Sequence, residues 1–505
     1  MSEAERGHEG NFQTETYDEE MRRVLSRQRL QGVGSMRMEQ EVNFPVVSTQ
    51  QFVRFQINST GRGILDSDAE VSLSLRATAQ GEAKTMIHPI LQGCKCLVEK
   101  ASLKIGGKTI ATQEGSRFYH ALDQGFKPMD DQKSLETYTT GSNDYFEVSN
   151  LLDEQTKGTT IANVGCLRVG GRSFGSPNPF LYVRRAEVTG FNAPAIFSIK
   201  LDELFPFLKN NQLPLMSMND DVFVELSLNV QDADGSKVIY DSSVLAPAFA
   251  SGDVEFNTDE ARLNVTHLYY DDALMNRIER EHDTKGLMFV YEDLQFVNRG
   301  IVASGSATGE QTAILDIGGQ GKVVRKLLVA PMLQTTNGLL GLYSMPSDRQ
   351  KFRATAGAGY TDAREDYQLE INDRLVFTRP LDTPAKLSYH YSVCGQNGDC
   401  FVPKALSSVE NTNTLGASQF SPNHNWAGVV QSDLEGQYAP RGFDFTHDRS
   451  NRVGNGVRVG SKPIRMTYHR VGTAGISSNS AKAFRCWIVY ERMFQLKNGV
   501  VSLME

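Results

Sequence analysis

The sequence predicts an all-β protein made of two tandem domains, β-sandwiches or jelly rolls. Three observations carry this: short runs of alternating apolar and polar residues, tight-turn signals between them, and one order of landmarks that occurs twice. The clearest run is Val222 to Val230. Val222, Val224, Leu226, Leu228 and Val230 share one face, while Phe223, Glu225, Ser227 and Asn229 share the other. That is a strand buried on one side of an antiparallel sheet. Its lead-in is Leu213-Pro214-Leu215, with the proline placed just ahead of the strand, where a missing amide hydrogen does least harm.

Residues 1–40 carry no strand pattern and read as an N-terminal arm. Asp18 to Gln31 within it suits a short helix, with Asp18, Glu19 and Glu20 at its positive end. From about residue 41 strands follow: Val53, Phe55 and Ile57 alternate, then Val71, Leu73, Leu75 and Ala77. Ala101 to Ile110 is two β-runs joined by Gly106-Gly107, a hairpin signal because primed turns need positive φ. A short helix is expected from Ser116 to Gln124. The first domain spans 41–275 and closes with the strand Leu263 to Tyr269. Asp271 to Lys285 is charged and helix-compatible, and reads as the junction.

The second domain, 276–505, repeats the order. Tyr367 to Phe377 is strand, Asn372-Asp373 turn and strand, followed by an expected helix at Ala385 to Tyr391. Ile464 to His469 corresponds to Val222 to Val230, and Phe484 to Tyr490 corresponds to Leu263 to Tyr269. A repeat this long indicates domain duplication rather than a solenoid. Glycine-rich stretches at 158–175, 300–310, 354–360 and 395–399 read as loops inserted between strands.

Bulk properties narrow the function. A chain of 505 residues exceeds one ordinary core. The net charge of −8 argues against genome binding by bulk electrostatics, and no sequence-specific nucleic-acid contact is expected. There is no apolar run of about 18 residues, hence no expected membrane helix. The polar start MSEAERGHEGNFQTETYDEE lacks the apolar region of a secretory signal, so the expected place of synthesis is the cell interior. Six scattered cysteines (Cys94, Cys96, Cys166, Cys394, Cys400, Cys486) form no disulfide framework and read as free thiols, although oxidation would close the Cys394–Cys400 loop.

The search for chemistry is thin, and no catalytic, cofactor or metal residue is assigned. Gly318-Gly319-Gln320-Gly321-Lys322 resembles a phosphate loop, but Val323 stands where Ser or Thr is needed, so a turn feeding the strand Val323 to Val329 is the reading. Cys94-Lys95-Cys96 has no partner pair at zinc spacing and reads as a strand. Nine scattered histidines include no HxH or HExxH, and His424-Asn425-Trp426 is a single aromatic in a loop. Glu203, Asp220 and Asp221 read as turn and cap residues. A glycosidase carboxylate pair stays open as an alternative, since β-sandwich enzymes draw theirs from distant strands.

Leu213-Pro214-Leu215 ahead of Val222 resembles a signature of double jelly-roll major capsid proteins of nucleocytoplasmic large DNA viruses, virophages and polinton-like viruses. Tyr269 and Asp271 followed by Glu279-Arg280 is similar to the close of that family's first jelly roll. Gly442 to Asp448, with Phe445, is a degraded form of a Gly-x-x-Asn-Phe-Ser-Arg-like motif of the second, having Asp444 for Asn and His447 for Arg. Tyr490 and the Gly499-led apolar end resemble the terminal strand. These matches spread from about residue 100 to the end. The resemblance implies a non-enzymatic virion protein without cofactors, a homotrimer whose six similar lobes give a pseudo-six-fold capsomer. It implies contacts with neighbouring capsomers and minor capsid or penton proteins, and an arm that meets a partner or inner membrane. The rivals are a minor or receptor-binding vertex protein on jelly rolls and a carbohydrate-active β-sandwich protein.

Overall fold

The computed structural model describes residues 37–77, 84–89, 95, 97–116, 119–120, 167–169, 172–174, 183–188, 195–228, 240–241, 254–301, 310–333, 364–381, 390, 441–446, 455–471 and 482–504. In the first half the principal strands are β1 (Arg37–Asn43), β2 (Pro45–Ser48), β3 (Phe52–Ile57), β4 (Ile64–Leu65), β5 (Glu70–Ala77), β6 (Val98–Ile105), β7 (Lys108–Glu114), β8 (Ala195–Lys200), β9 (Leu213–Pro214), β10 (Val222–Leu228) and β11 (Arg262–Tyr269), beside others at Lys84–Pro89, Val183–Val188, Tyr240–Asp241 and Val254–Phe256. Two short helices, α1 (Leu201–Leu204) and α2 (Pro206–Asn210), lie between β8 and β9, and α3 (Asp272–Thr284) follows β11. The second half has β12 (Leu287–Ile301), β13 (Glu310–Gly318), β14 (Val323–Leu333), β15 (Arg364–Ile371), β16 (Arg374–Leu375), β17 (Arg441–Asp444), β18 (Ile464–Val471), β19 (Lys482–Lys497) and β20 (Val500–Met504).

The pairings show that the halves are the same fold. In the first, one sheet runs β1-β11-β5-β8 and the other β3-β10-β6-β7, all antiparallel. In the second, the sheets run β12-β19-β14-β17 and β13-β18-β15-β16. Taken in chain order, eight strands in each half find the same partners. Two four-stranded sheets with this connectivity make a jelly roll, so the molecule is a double jelly roll. The three expected correspondences occupy matching places: β10 with β18, β11 with β19, and the β6–β7 hairpin with β15–β16.

Local chemistry explains the elements. β10 alternates strictly in burial, with Val222, Val224, Leu226 and Leu228 inward. Gly106 has φ 58 at the first turn position, the type II′ pattern, whereas Asn372 and Asp373 have φ 53 and 60, the type I′ pattern. The side chain of Asp271 accepts from the Leu274 amide and so caps α3. The glycines of Gly318-Gly319-Gln320-Gly321 all have positive φ and turn the chain into β14, as expected.

Several expectations change. Leu213-Pro214 does not run straight into β10; it pairs with β4 in the opposite sheet as a terminal strand, where proline's missing donor is harmless. A 3₁₀ turn, Leu215–Ser217, then carries the chain across to β10. Lys95 and Leu97 form a 3₁₀ turn rather than a strand, which takes the buried Lys95 ammonium to Glu203 of α1 at 2.6 Å. Inside 158–175 the strands Leu167–Val169 and Arg172–Phe174 pair antiparallel, in place of the expected plain loop. Strand β1 begins at Arg37, inside the expected arm. The expected helix at Asp18–Gln31, the cysteines other than Cys486, His424-Asn425-Trp426 and glycine-rich 354–360 and 395–399 lie outside the described residues. Of the expected helices at Ser116–Gln124 and Ala385–Tyr391, only Ser116, Tyr119, His120 and His390 are described, each as helical.

Candidate functional site: the seam between the jelly rolls

Two hydrophobic cores are present, and the first is not confined to the first jelly roll. It takes in Leu287, Phe289, Tyr291 and Leu294 of β12 and Trp487, Val489, Phe494 and Leu496 of β19, together with Val501 of β20. The second holds Tyr367, Leu369, Met466, Tyr468, Phe484, Cys486 and Ile488. Strands β12 and β19 pair without interruption from Leu287↔Leu496 to Ile301↔Lys482, a long ribbon that serves both cores. Phe207 of α2 plugs its first-domain end. Its ring meets Tyr291 at 5.0 Å, Phe494 at 5.4 Å and Phe289 at 6.0 Å, while Phe289 and Phe494 stack at 4.7 Å.

Beside this apolar plug the ribbon caps a raw sheet edge. β7 is a terminal strand, so alternate backbone groups along it face away from β6. Side chains of the second jelly roll reach three of these groups. The Ile110 carbonyl accepts from the Tyr291 hydroxyl at 2.6 Å and from Arg492 Nη1 at 2.9 Å. The Thr112 amide donates to Asp293 Oδ1 at 3.3 Å, and the Glu114 carbonyl accepts from Trp487 Nε1 at 2.8 Å. Asp293 is the hub: buried, it also accepts from Tyr490 at 2.9 Å and Arg492 at 2.7 Å. A buried carboxylate held by three donors, one of them a guanidinium, is well compensated. Burial drives the Tyr291 phenol far above its ordinary pKa, so it remains a donor throughout the working range.

A second tie closes the seam at the far end of the chain. Gly499, φ 76, turns β19 into β20. Its amide donates to His282 Nε2 at 3.0 Å, and its carbonyl accepts from the Asn219 amide at 3.1 Å. A Cβ here would lie 2.2 Å from the Asn219 side chain, so only glycine fits. His282 Nδ1 faces Asp283 at 3.0 Å, which makes Nε2 the unprotonated acceptor. The hairpin thus joins the end of α3 to the loop between Leu215 and Val222.

The expected signature residues fall into two groups. Leu213, Leu215 and Val222 are buried in the first core, and the loop after Leu215 is the one that meets Gly499. Tyr490 lies on Asp293, and Asp271 caps the helix that ends at His282. Tyr269 stacks under Arg37 of β1 at 4.8 Å. Gly442 and Phe445 stand apart in the second jelly roll, where Gly442 pairs with Leu328 and the Phe445 amide donates to the Arg325 carbonyl at 2.7 Å. The sequence reading missed Asp293, Tyr291, Arg492, Trp487 and Phe207. A signal existed in Leu287, Phe289 and Tyr291, an alternating row interrupted by Asp293. Among the described residues no cluster of three or more His, Cys, Asp or Glu is arranged to hold a metal, and no helix is long and apolar enough to cross a membrane.

Fold and seam together define a double jelly roll whose lobes are locked into one unit. A chain of the PBCV-1 virus capsid is similar, 13% identical over 93% of this chain and 97% of that one, with TM-score 0.50. A chain of the Sputnik virophage structure is 11% identical over 93% of this chain and 88% of that one, also at TM-score 0.50. At such identities the likeness is one of fold. No family model matches the chain, and no curated protein matches it.

Proposed function

We propose that this chain is the major capsid protein of an icosahedral double-stranded DNA virus, a structural protein of the virion made inside the host cell. Three copies form a capsomer of pseudo-six-fold outline, and capsomers tile the shell with minor capsid or penton proteins at its irregular places. The observation that carries this reading is the locked pair of equivalent sandwiches: three such chains supply six similar lobes, which a hexagonal lattice needs. That a chain of the same fold belongs to the PBCV-1 capsid supports it. So does the net charge of −8, which suits a wall that does not itself hold the genome. The polar cluster at the seam is engaged in holding lobes together, which supports a non-catalytic role.

The domain division belongs to the proposal: an arm at 1–40, a first jelly roll at 41–275 and a second at 276–505. It is supported by the pairing, since among the described residues strands up to Tyr269 pair with one another and strands from Leu287 pair with one another. The arm takes the contact with a partner or inner layer. Light scattering on the purified protein tests the assembly, with a species of about 168 kDa expected, three times the 56.0 kDa chain. A strict monomer that is also scarce in purified particles would sink the reading.

A further inference from the structure

In each jelly roll one sheet ends on the strand beside the last of its eight: β1 in the first, β12 in the second. The other sheet ends on β7 in the first and β16 in the second. Within the chain, β12 and its partner β19 cover β7, through Tyr291, Asp293, Arg492 and Trp487. Among the described residues the equivalents of these two edges are both left open: β1 pairs only with β11 and passes through Phe44 into β2, itself a terminal strand of the other sheet. Along this continuous edge Met38 is 53% exposed, Phe44 63% and Val46 61%, with Val42 and Val47 also outward. On β16 Leu375 is 64% exposed, with Val376 next to it. Long apolar edge strands left in water invite pairing, and natural proteins cover or charge them.

We propose that the Arg37–Ser48 edge of one copy packs on the Arg374–Val376 edge of a second copy, repeating between copies the contact that β12 makes with β7 within the chain. This rests on the assembly reading above and names its surface. The occupant is a second copy because the two open edges are the unused halves of a contact the chain already makes once. A contact between two different surfaces runs head to tail, and it ends only when a ring closes. A two-fold contact would match β1 with β1 and leave Leu375 and Val376 in water.

Phe44→Asp and Leu375→Asp test the two sides separately. Both side chains are exposed, so a far-ultraviolet circular dichroism spectrum equal to the parent's checks that each variant folds. Each is expected to convert the ~168 kDa species to a 56.0 kDa monomer by light scattering. Mixing a Val42→Cys chain with a Leu375→Cys chain and oxidising should give a 42–375 disulfide between copies, read by peptide mass spectrometry. An oligomer that survives both aspartates and forms no 42–375 link overturns this surface while leaving the capsid reading in place. A dominant 42–42 link overturns it in favour of a two-fold pair. A parent protein that is monomeric at every concentration defeats both proposals.

Discussion

Asp293 and Gly499 are each held by atoms from distant parts of the sequence, and substitution at either has a calculable sign. Asp293→Ala leaves the half-buried Arg492 without its carboxylate and frees the Thr112 amide, which costs about 2–3 kcal/mol in urea denaturation. Pairing it with Arg492→Leu recovers part of that loss, because both charges then leave the seam. Gly499→Ala meets both a positive φ and the Asn219 side chain, and it destabilises by more than about 1 kcal/mol. Adding Asn219→Ala relieves the collision but not the backbone strain, so the double variant is intermediate. Cys486 gives a pH test. Burial pushes its thiol from the ordinary 9.0 up to about 12, so the folded state keeps a proton that the unfolded state gives up. Its contribution to stability is intact below pH 9.0 and is lost as pH rises towards about 12. Urea midpoints across that window should fall less steeply in Cys486→Ala than in the parent.

The β12–β19 ribbon is the element on which both lobes depend. Phe289→Ala and Phe494→Ala each remove a stacked ring from a closed aromatic plug and cost about 3–5 kcal/mol. Together they cost less than their sum, since each single change already breaks the stack; a double-mutant cycle measures the difference. The ribbon also explains which elements were legible in the sequence. β10 and the two hairpins face a core on one side and a wetter surface on the other, and their alternation announces them. β12 is harder to read because its buried side changes from Leu287, Phe289 and Tyr291 to Leu294 just after Asp293, so no single alternation runs its length. Leu213-Pro214 is legible as the lead-in to β10, but its own pairing with β4 is not. Two residues pairing with Ile64 and Leu65 leave no periodicity to read.

For the molecule as a whole, a shared first core means the lobes do not unfold apart. Calorimetry is expected to show one cooperative transition, and two resolved transitions would contradict the seam described here. Residues 276–505 alone should bind a hydrophobic dye strongly, because Phe289, Phe494 and Trp487 lose their cover. The duplication was visible in the order of landmarks; the locking was not, since it depends on side chains reaching a backbone edge, for which sequence has no pattern. The Gly499 hairpin adds a consequence in time. Translation delivers Asn219 and His282 long before Gly499 and Val501, yet the amide that bonds His282 and the carbonyl that accepts from Lys108 both belong to that late segment. A nascent chain that has finished the whole first lobe still lacks its fastening. A ribosome that stalls early therefore releases a chain without its closing clasp.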